Sequence, residues 1–203
     1  MHIIYRLKGS IPKAVLKEIV AQRNNLFEDK ISTLQADQRK LTSEQLDLVR
    51  EIVEETVEHL LEEELHFASN GPYYLSKPGI ADKIINCWKW SQVNQGIVVH
   101  AICVMSNHVH VVAGSANEVE IPPGPVLKTN KGYTARICNE LLGMTGKAFW
   151  EAGYFDRNVR VGQLHTLMLY VLHNPVKAKL VDEWEDWPGT YLNPMYDAIY
   201  RNS

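Results

Sequence analysis

One run of residues constrains this chain more than any other: Gly96-Ile-Val-Val-His-Ala-Ile-Cys-Val-Met105. It is apolar almost throughout, yet far too short to span a bilayer as a helix. Such a run fits a strand at the centre of a sheet covered on both faces. Ser106-Asn107 then makes a two-residue turn, and His108 to Ala113 returns as the paired strand. Alternate strand side chains share a face, so His108 and His110 point one way and Val109 and Val111 the other.

Other elements follow from periodicity. His2 to Leu7 alternates as a first strand, with Ile3, Tyr5 and Leu7 set against His2, Ile4 and Arg6. Ser10 is an expected N-cap for a helix over Lys13 to Gln22, and Asn24 to Arg39 reads as a connecting segment. Thr42-Ser43-Glu44-Gln45 is a capping signature, which predicts a long helix to about His66. Its apolar stripe is Leu46, Val49, Ile52, Val53, Val57, Leu60 and Leu61, with acidic residues on the opposite face. A helix over Gly79 to Val93 buries Ile80, Ile84, Cys87, Trp88 and Val93. Val119 to Gly124 is a loop and Leu127 to Leu142 a helix that stops at Gly143. Tyr154 to Val161 is extended, and Gln163 to Asn174 is an amphipathic helix with Leu164, Leu167, Met168, Val171 and Leu172 inward. The pattern predicts an α+β fold in which helices pack on an antiparallel sheet. A single domain over 1–203 carries a helical insertion at about 24–93.

With 45% hydrophobic and 22% charged residues among 203, the profile is that of a soluble globular protein. The N-terminus MHIIYRLKGS has no basic segment followed by an apolar core, so the expectation is a cytoplasmic protein without membrane attachment. Cys87, Cys103 and Cys138 are scattered and read as buried reduced thiols. The net charge of −3 conceals an uneven distribution. Leu41 to Phe67 has nine acidic residues against one basic, while Pro125 to Leu180 has eight basic against three acidic. A local basic surface attracts phosphates even on a mildly acidic protein. Two oppositely charged, solvated helical faces would account for the same pattern.

Two groups of residues are chemically suggestive. The spacing of His108 and His110 lets two imidazoles reach one ion. Imidazole suits Mn, Fe, Ni, Cu or Zn, and can join water and phosphate oxygens around Mg. Two histidines on a half-exposed strand are the plainer alternative. On the last helix, Tyr170 and Asn174 are four residues apart and share a face, which Lys177 joins if the helix continues. A tyrosine hydroxyl can attack phosphorus, helped by a nearby cation, and the Asn174 amide oxygen can serve as a third metal ligand. An ordinary surface tyrosine, and an asparagine that caps a new helix beginning at Pro175, explain the same residues.

The run Cys103 to Val112 (CVMSNHVHVV) resembles the histidine–hydrophobe–histidine motif of single-tyrosine HUH transposases, and more specifically of their REP-associated tyrosine transposase group. Three further blocks resemble that group in the same order: Tyr5 to Pro12, Phe149 to Arg160, and Tyr170 to Val181. The resemblance implies a ferredoxin-like sheet with both histidines on a central strand. It implies Tyr170 as nucleophile, His108 and His110 as metal ligands and Asn174 as the third. A divalent metal, Mg or Mn, and single-stranded DNA with an adjacent hairpin are implied as cofactor and partner. Ser106 departs from the proline often found in this turn, where serine is tolerated. Lys131, Arg136, Arg157, Arg160 and Lys177 are the expected phosphate contacts, and Tyr133 or Trp150 can stack unpaired bases. The expected reaction is transesterification through a 5′-phosphotyrosine link, by a monomer or homodimer. A metal-dependent hydrolase without a covalent step and a non-catalytic structured-DNA-binding protein are the alternatives.

Overall fold

The computed structural model describes residues 1–35, 40–67, 71–117, 121–159 and 162–201. It forms two compact units, one of Met1–Lys8 with Pro72–Ser203 and the other Gly9–Gly71.

The second unit is a helical pair. Helix α1 spans Lys13–Leu34, and its N-cap is Pro12 with no side-chain cap bond, so Ser10 does not play the expected role. The helix runs on through residues expected to connect elements. Leu26, Phe27 and Ile31 form a stripe only once Val49, Val53 and Val57 of α2 (Ser43–Phe67) lie against them. The capping signature is realised at α2: Gln45 N donates to Thr42 Oγ1 at 3.2 Å and Thr42 N donates to Gln45 Oε1 at 2.9 Å. Val49, Val53 and Val57 repeat every four residues and set the buried line, leaving Ile52 on its flank and exposed. Glu58 and Glu62, expected on the outer face, are buried.

The first unit is built on a five-stranded antiparallel sheet. Strand β1 (His2–Arg6) is followed by helix α3 (Ile80–Asn94), then β2 (Ile97–Val104) and β3 (His108–Ser115). Helix α4 (Pro123–Leu141), β4 (Phe155–Arg157), α5 (Leu164–Leu172), α6 (Asn174–Lys177), β5 (Thr190–Leu192) and α7 (Asp197–Tyr200) complete it. The strand order is β4-β1-β3-β2-β5. Its first four members have the ferredoxin-like arrangement, and β5, not foreseen from sequence, extends the sheet beside β2. Helix α4 starts four residues before the expected Leu127, because proline is well accommodated in a helix's first turn.

The two faces of the sheet bury different clusters. Ile3, Tyr5, Leu7, Val109 and Val111 pack with residues of α3 and α4, including Ile84, Trp88, Leu127 and Cys138. Val112, Ala101 and Cys103 pack with Leu167, Met168, Val171 and Leu172 of α5. A bulge at His100 in β2 explains how one apolar strand serves both clusters: Val99 pairs with Ala113 and Ala101 with Val112. The extra residue inverts the alternation, so Ile97 and Val99 face α3 and α4 before it, and Ile102 and Val104 after it. Val93, expected inside, is 82% exposed.

Candidate active site

His108 and His110 lie on β3, the middle strand of the sheet, on the face covered by α5. Antiparallel register places Arg6 opposite His108, Ile4 opposite His110 and His2 opposite Val112. The turn before the histidines is pinned on both sides, since Leu75 N donates to Ser106 O and Leu7 N to Asn107 O. Both imidazoles are completely buried, and their Nε2 atoms approach to 2.9 Å. His108 Nδ1 lies 2.7 Å from Asn107 Oδ1. An amide oxygen only accepts, so His108 Nδ1 donates, and in the neutral ring its Nε2 carries a lone pair. His110 Nδ1 lies 3.2 Å from Nε2 of His2, which is likewise fully buried.

Helix α5 brings the tyrosine to the same face. Leu167, Met168, Val171 and Leu172 are buried under it, at about 1.5–3 kcal/mol for each fully buried side chain. That anchorage turns Tyr170 toward the strands: its ring stands edge-on to His110 and to His2, each at 6.3 Å between centroids. Pro175 removes one helical donor, and the chain is divided at His173 into α5 and α6. The division is shallow, because His173 N still donates to Leu169 O and Lys177 N to His173 O. Lys177 therefore joins the Tyr170 face, with Nζ 3.7 Å from the ring centroid. A left-handed residue, Lys179 at φ 56, then stops the helix, with Leu180 N donating to Pro175 O and Lys179 N to Val176 O.

The residues fit a divalent ion. Two ligand nitrogens about 2.1 Å from one ion in cis positions are about 3 Å apart, close to the 2.9 Å between the Nε2 atoms. Asn174 is fully buried, and among the described residues neither its Oδ1 nor its Nδ2 has a hydrogen-bond partner, as suits an amide kept for a ligand. Among the described residues no three His, Cys, Asp or Glu side chains gather as a metal group. A full coordination set would need donors beyond the two imidazoles, such as an amide, water or substrate oxygens.

The expected phosphate contacts divide. Arg157 sits on β4, paired across from His2, and Lys177 lies against Tyr170. Lys131 and Arg136 belong to α4, on the other face of the sheet. Lys131 Nζ donates to the carbonyls of Glu151 and Gly153, both at 2.7 Å, and burial lowers its pKa. Arg136 pairs with Glu140 at 3.2 Å. Arg160 lies outside the described residues. Trp150 is core rather than a stacking platform: it is 8% exposed and its Nε1 donates to Thr134 Oγ1 at 3.0 Å. Tyr133 is exposed. Sequence reasoning missed His2 and Asn107 as partners of the two histidines. The sequence marks Asn107 only as a turn residue, and the signal for His2 is its place in the alternation of β1.

A family model described as IS200-like transposase matches residues 73–174, a span that holds His108, His110, Tyr170 and Asn174. No curated protein matches the chain. Among solved structures, the chain is similar to a REP-associated tyrosine transposase bound to a REP hairpin, at 19% identity and a TM-score of 0.43, over 58% of this chain and 67% of that one.

Proposed function

The chain belongs to the IS200-like transposase family, and on that premise we propose that it cuts and rejoins single-stranded DNA bearing a hairpin, with Tyr170 as nucleophile. The observation that carries the reading is the meeting of Tyr170, His110 and Lys177 on one face of the sheet. Tyr170 Oη attacks a backbone phosphorus and loses its proton to solvent. The bond to the 3′-oxygen breaks, that oxygen leaves with the electron pair and takes up a proton, and the 5′ side stays linked to the tyrosine. A DNA 3′-hydroxyl reverses the step, so rejoining needs no ATP.

His108, His110 and the Asn174 amide oxygen are the residues that hold a divalent ion, Mg or Mn, which when bound polarises the scissile phosphate. Burial of both imidazoles keeps bulk water from them, and Leu167, Met168, Val171 and Leu172 hold the phenol in position for in-line attack. Lys177 and Arg157 are the cations placed to neutralise phosphate charge beside the phenol and His2. We read the chain as a single transposase domain with a helical insertion at about 24–93. The separate compact unit Gly9–Gly71 supports an inserted helical pair, although α3, which begins within 24–93, packs with the sheet.

The test is incubation with Mn and a library of end-labelled hairpin-bearing strands, followed by denaturing electrophoresis. A covalent protein–DNA adduct is expected. Cut strands with free 5′-phosphates and no adduct would point to a hydrolase, and binding without cleavage to a non-catalytic protein.

A further inference from the structure

We infer that His2 is a positioning residue that sets the tautomer of His110 and thereby makes its Nε2 available to a metal ion; the inference rests on the metal-assisted reading above. His2 Nε2 lies 3.2 Å from His110 Nδ1, in rings only 14° from parallel. From His110 the contacts continue through Nε2 to His108 Nε2 at 2.9 Å, and from His108 Nδ1 to Asn107 Oδ1 at 2.7 Å. The hydrogen count in this row is determined from its far end. Asn107 Oδ1 accepts, so neutral His108 has its one hydrogen on Nδ1 and a lone pair on Nε2. Without metal, the bond between the two Nε2 atoms needs a hydrogen on His110 Nε2. Neutral His110 then accepts at Nδ1, and His2 Nε2 donates to it. The four side chains form one row of hydrogen bonds running from His2 to Asn107.

An ion shared by His108 and His110 requires a lone pair on both Nε2 atoms. His110 must then carry its hydrogen on Nδ1 and donate it to His2 Nε2, and His2 must carry its own on Nδ1. Each ring has one hydrogen before and after, so both rings change tautomer and no net proton is gained or lost. His2 is suited to this because imidazole nitrogen can donate in one tautomer and accept in the other. A side chain with neither capacity would take from His110 Nδ1 the acceptor that His2 supplies whenever metal binds.

Ring-nitrogen NMR of the full chain reads the tautomers directly, and Co(II) absorbance reads affinity. In metal-free wild type, His110 is expected as the Nε2–H form; Zn(II) should convert it to Nδ1–H and His2 to Nδ1–H. His2→Leu should bind Co(II) about 10- to 100-fold more weakly. His2→Gln, whose amide oxygen reaches the place of Nε2, should recover most of the loss. Circular dichroism checks the fold of both variants, and the wild-type tautomers decide the matter even if His2→Leu unfolds. Wild-type His110 in the same tautomer with and without Zn(II), or Co(II) affinity unchanged in a folded His2→Leu, would overturn the role of His2 and leave the metal reading standing. Co(II) binding no better in wild type than in the His108→Ala, His110→Ala variant would overturn the metal reading, and this inference with it.

Discussion

Tyr170→Phe separates chemistry from structure at the proposed nucleophile. The change removes one hydroxyl and keeps the ring, so the contacts given by the ring remain: His2 and His110 edge-on at 6.3 Å and Lys177 Nζ at 3.7 Å. The cation over the ring, worth about 0.5–2 kcal/mol, survives in phenylalanine. Only the hydroxyl's own hydrogen bonding is lost, about 0.5–1.5 kcal/mol. For a chain of this size that lowers Tm by roughly 2–5 °C. Loss of a positioned nucleophile, by contrast, should cut adduct formation by about 10⁵-fold or more. The assay is a strand labelled 3′ of the cut, incubated with Mn and resolved under denaturing conditions, beside a thermal melt and a hairpin-binding titration of the same preparation. The expected result is no labelled protein, near-wild-type melting and near-wild-type DNA affinity. A covalent adduct formed by Tyr170→Phe would refute the assignment, whatever the other two measurements gave.

His108→Ala combined with His110→Ala should abolish Mn-dependent cleavage, and turnover equal to wild type in that variant would remove the metal from the mechanism. Tyr5→Phe should cost about 1–3 kcal/mol, because the buried Trp88 Nε1–H that donates to Tyr5 Oη at 3.0 Å loses its acceptor. Tyr5→Phe with Trp88→Phe should cost less than the sum of the single changes in urea unfolding, and strict additivity would contradict the bond. Burial, aided by repulsion from the Met1 ammonium, holds His100 below its ordinary pKa of 6.5, while its Nδ1 lies 2.8 Å from Tyr196 Oη. The unfolded chain therefore takes up this proton first, so His100's contribution is intact above about pH 6.5 and declines below it, by at most about 1.4 kcal/mol per pH unit. His100→Asn keeps an acceptor and should lose less stability than wild type from about pH 7.5 to 5; parallel pH curves would rule this out.

Much of the chain is legible locally. Strand alternation puts His108 and His110 on one face wherever β3 lies, and the α5 stripe of Leu167, Met168, Val171 and Leu172 turns Tyr170 away from the deepest part of the core. The Thr42–Gln45 capping box needs only its own four residues. These features depend on bond geometry and on neighbours within about one helical turn, so they can be read from residue order.

The rest arises between residues far apart in the chain. Whether α5 covers the histidine face or the opposite one depends on which apolar surface of the sheet it completes, and the bulge at His100 decides how β2 divides its side chains between the two. Trp150 is inside because Thr134 and Tyr5 surround it, not because of its neighbours in sequence. His2 looks like one polar position in a short strand until the pairing of β1 with β3 sets it against His110, 108 residues away. Periodicity determined which side chains each element can present. Tertiary packing alone decided which of them meet, because a contact between distant residues is selected by the burial and hydrogen bonding of the whole sheet and leaves no local trace.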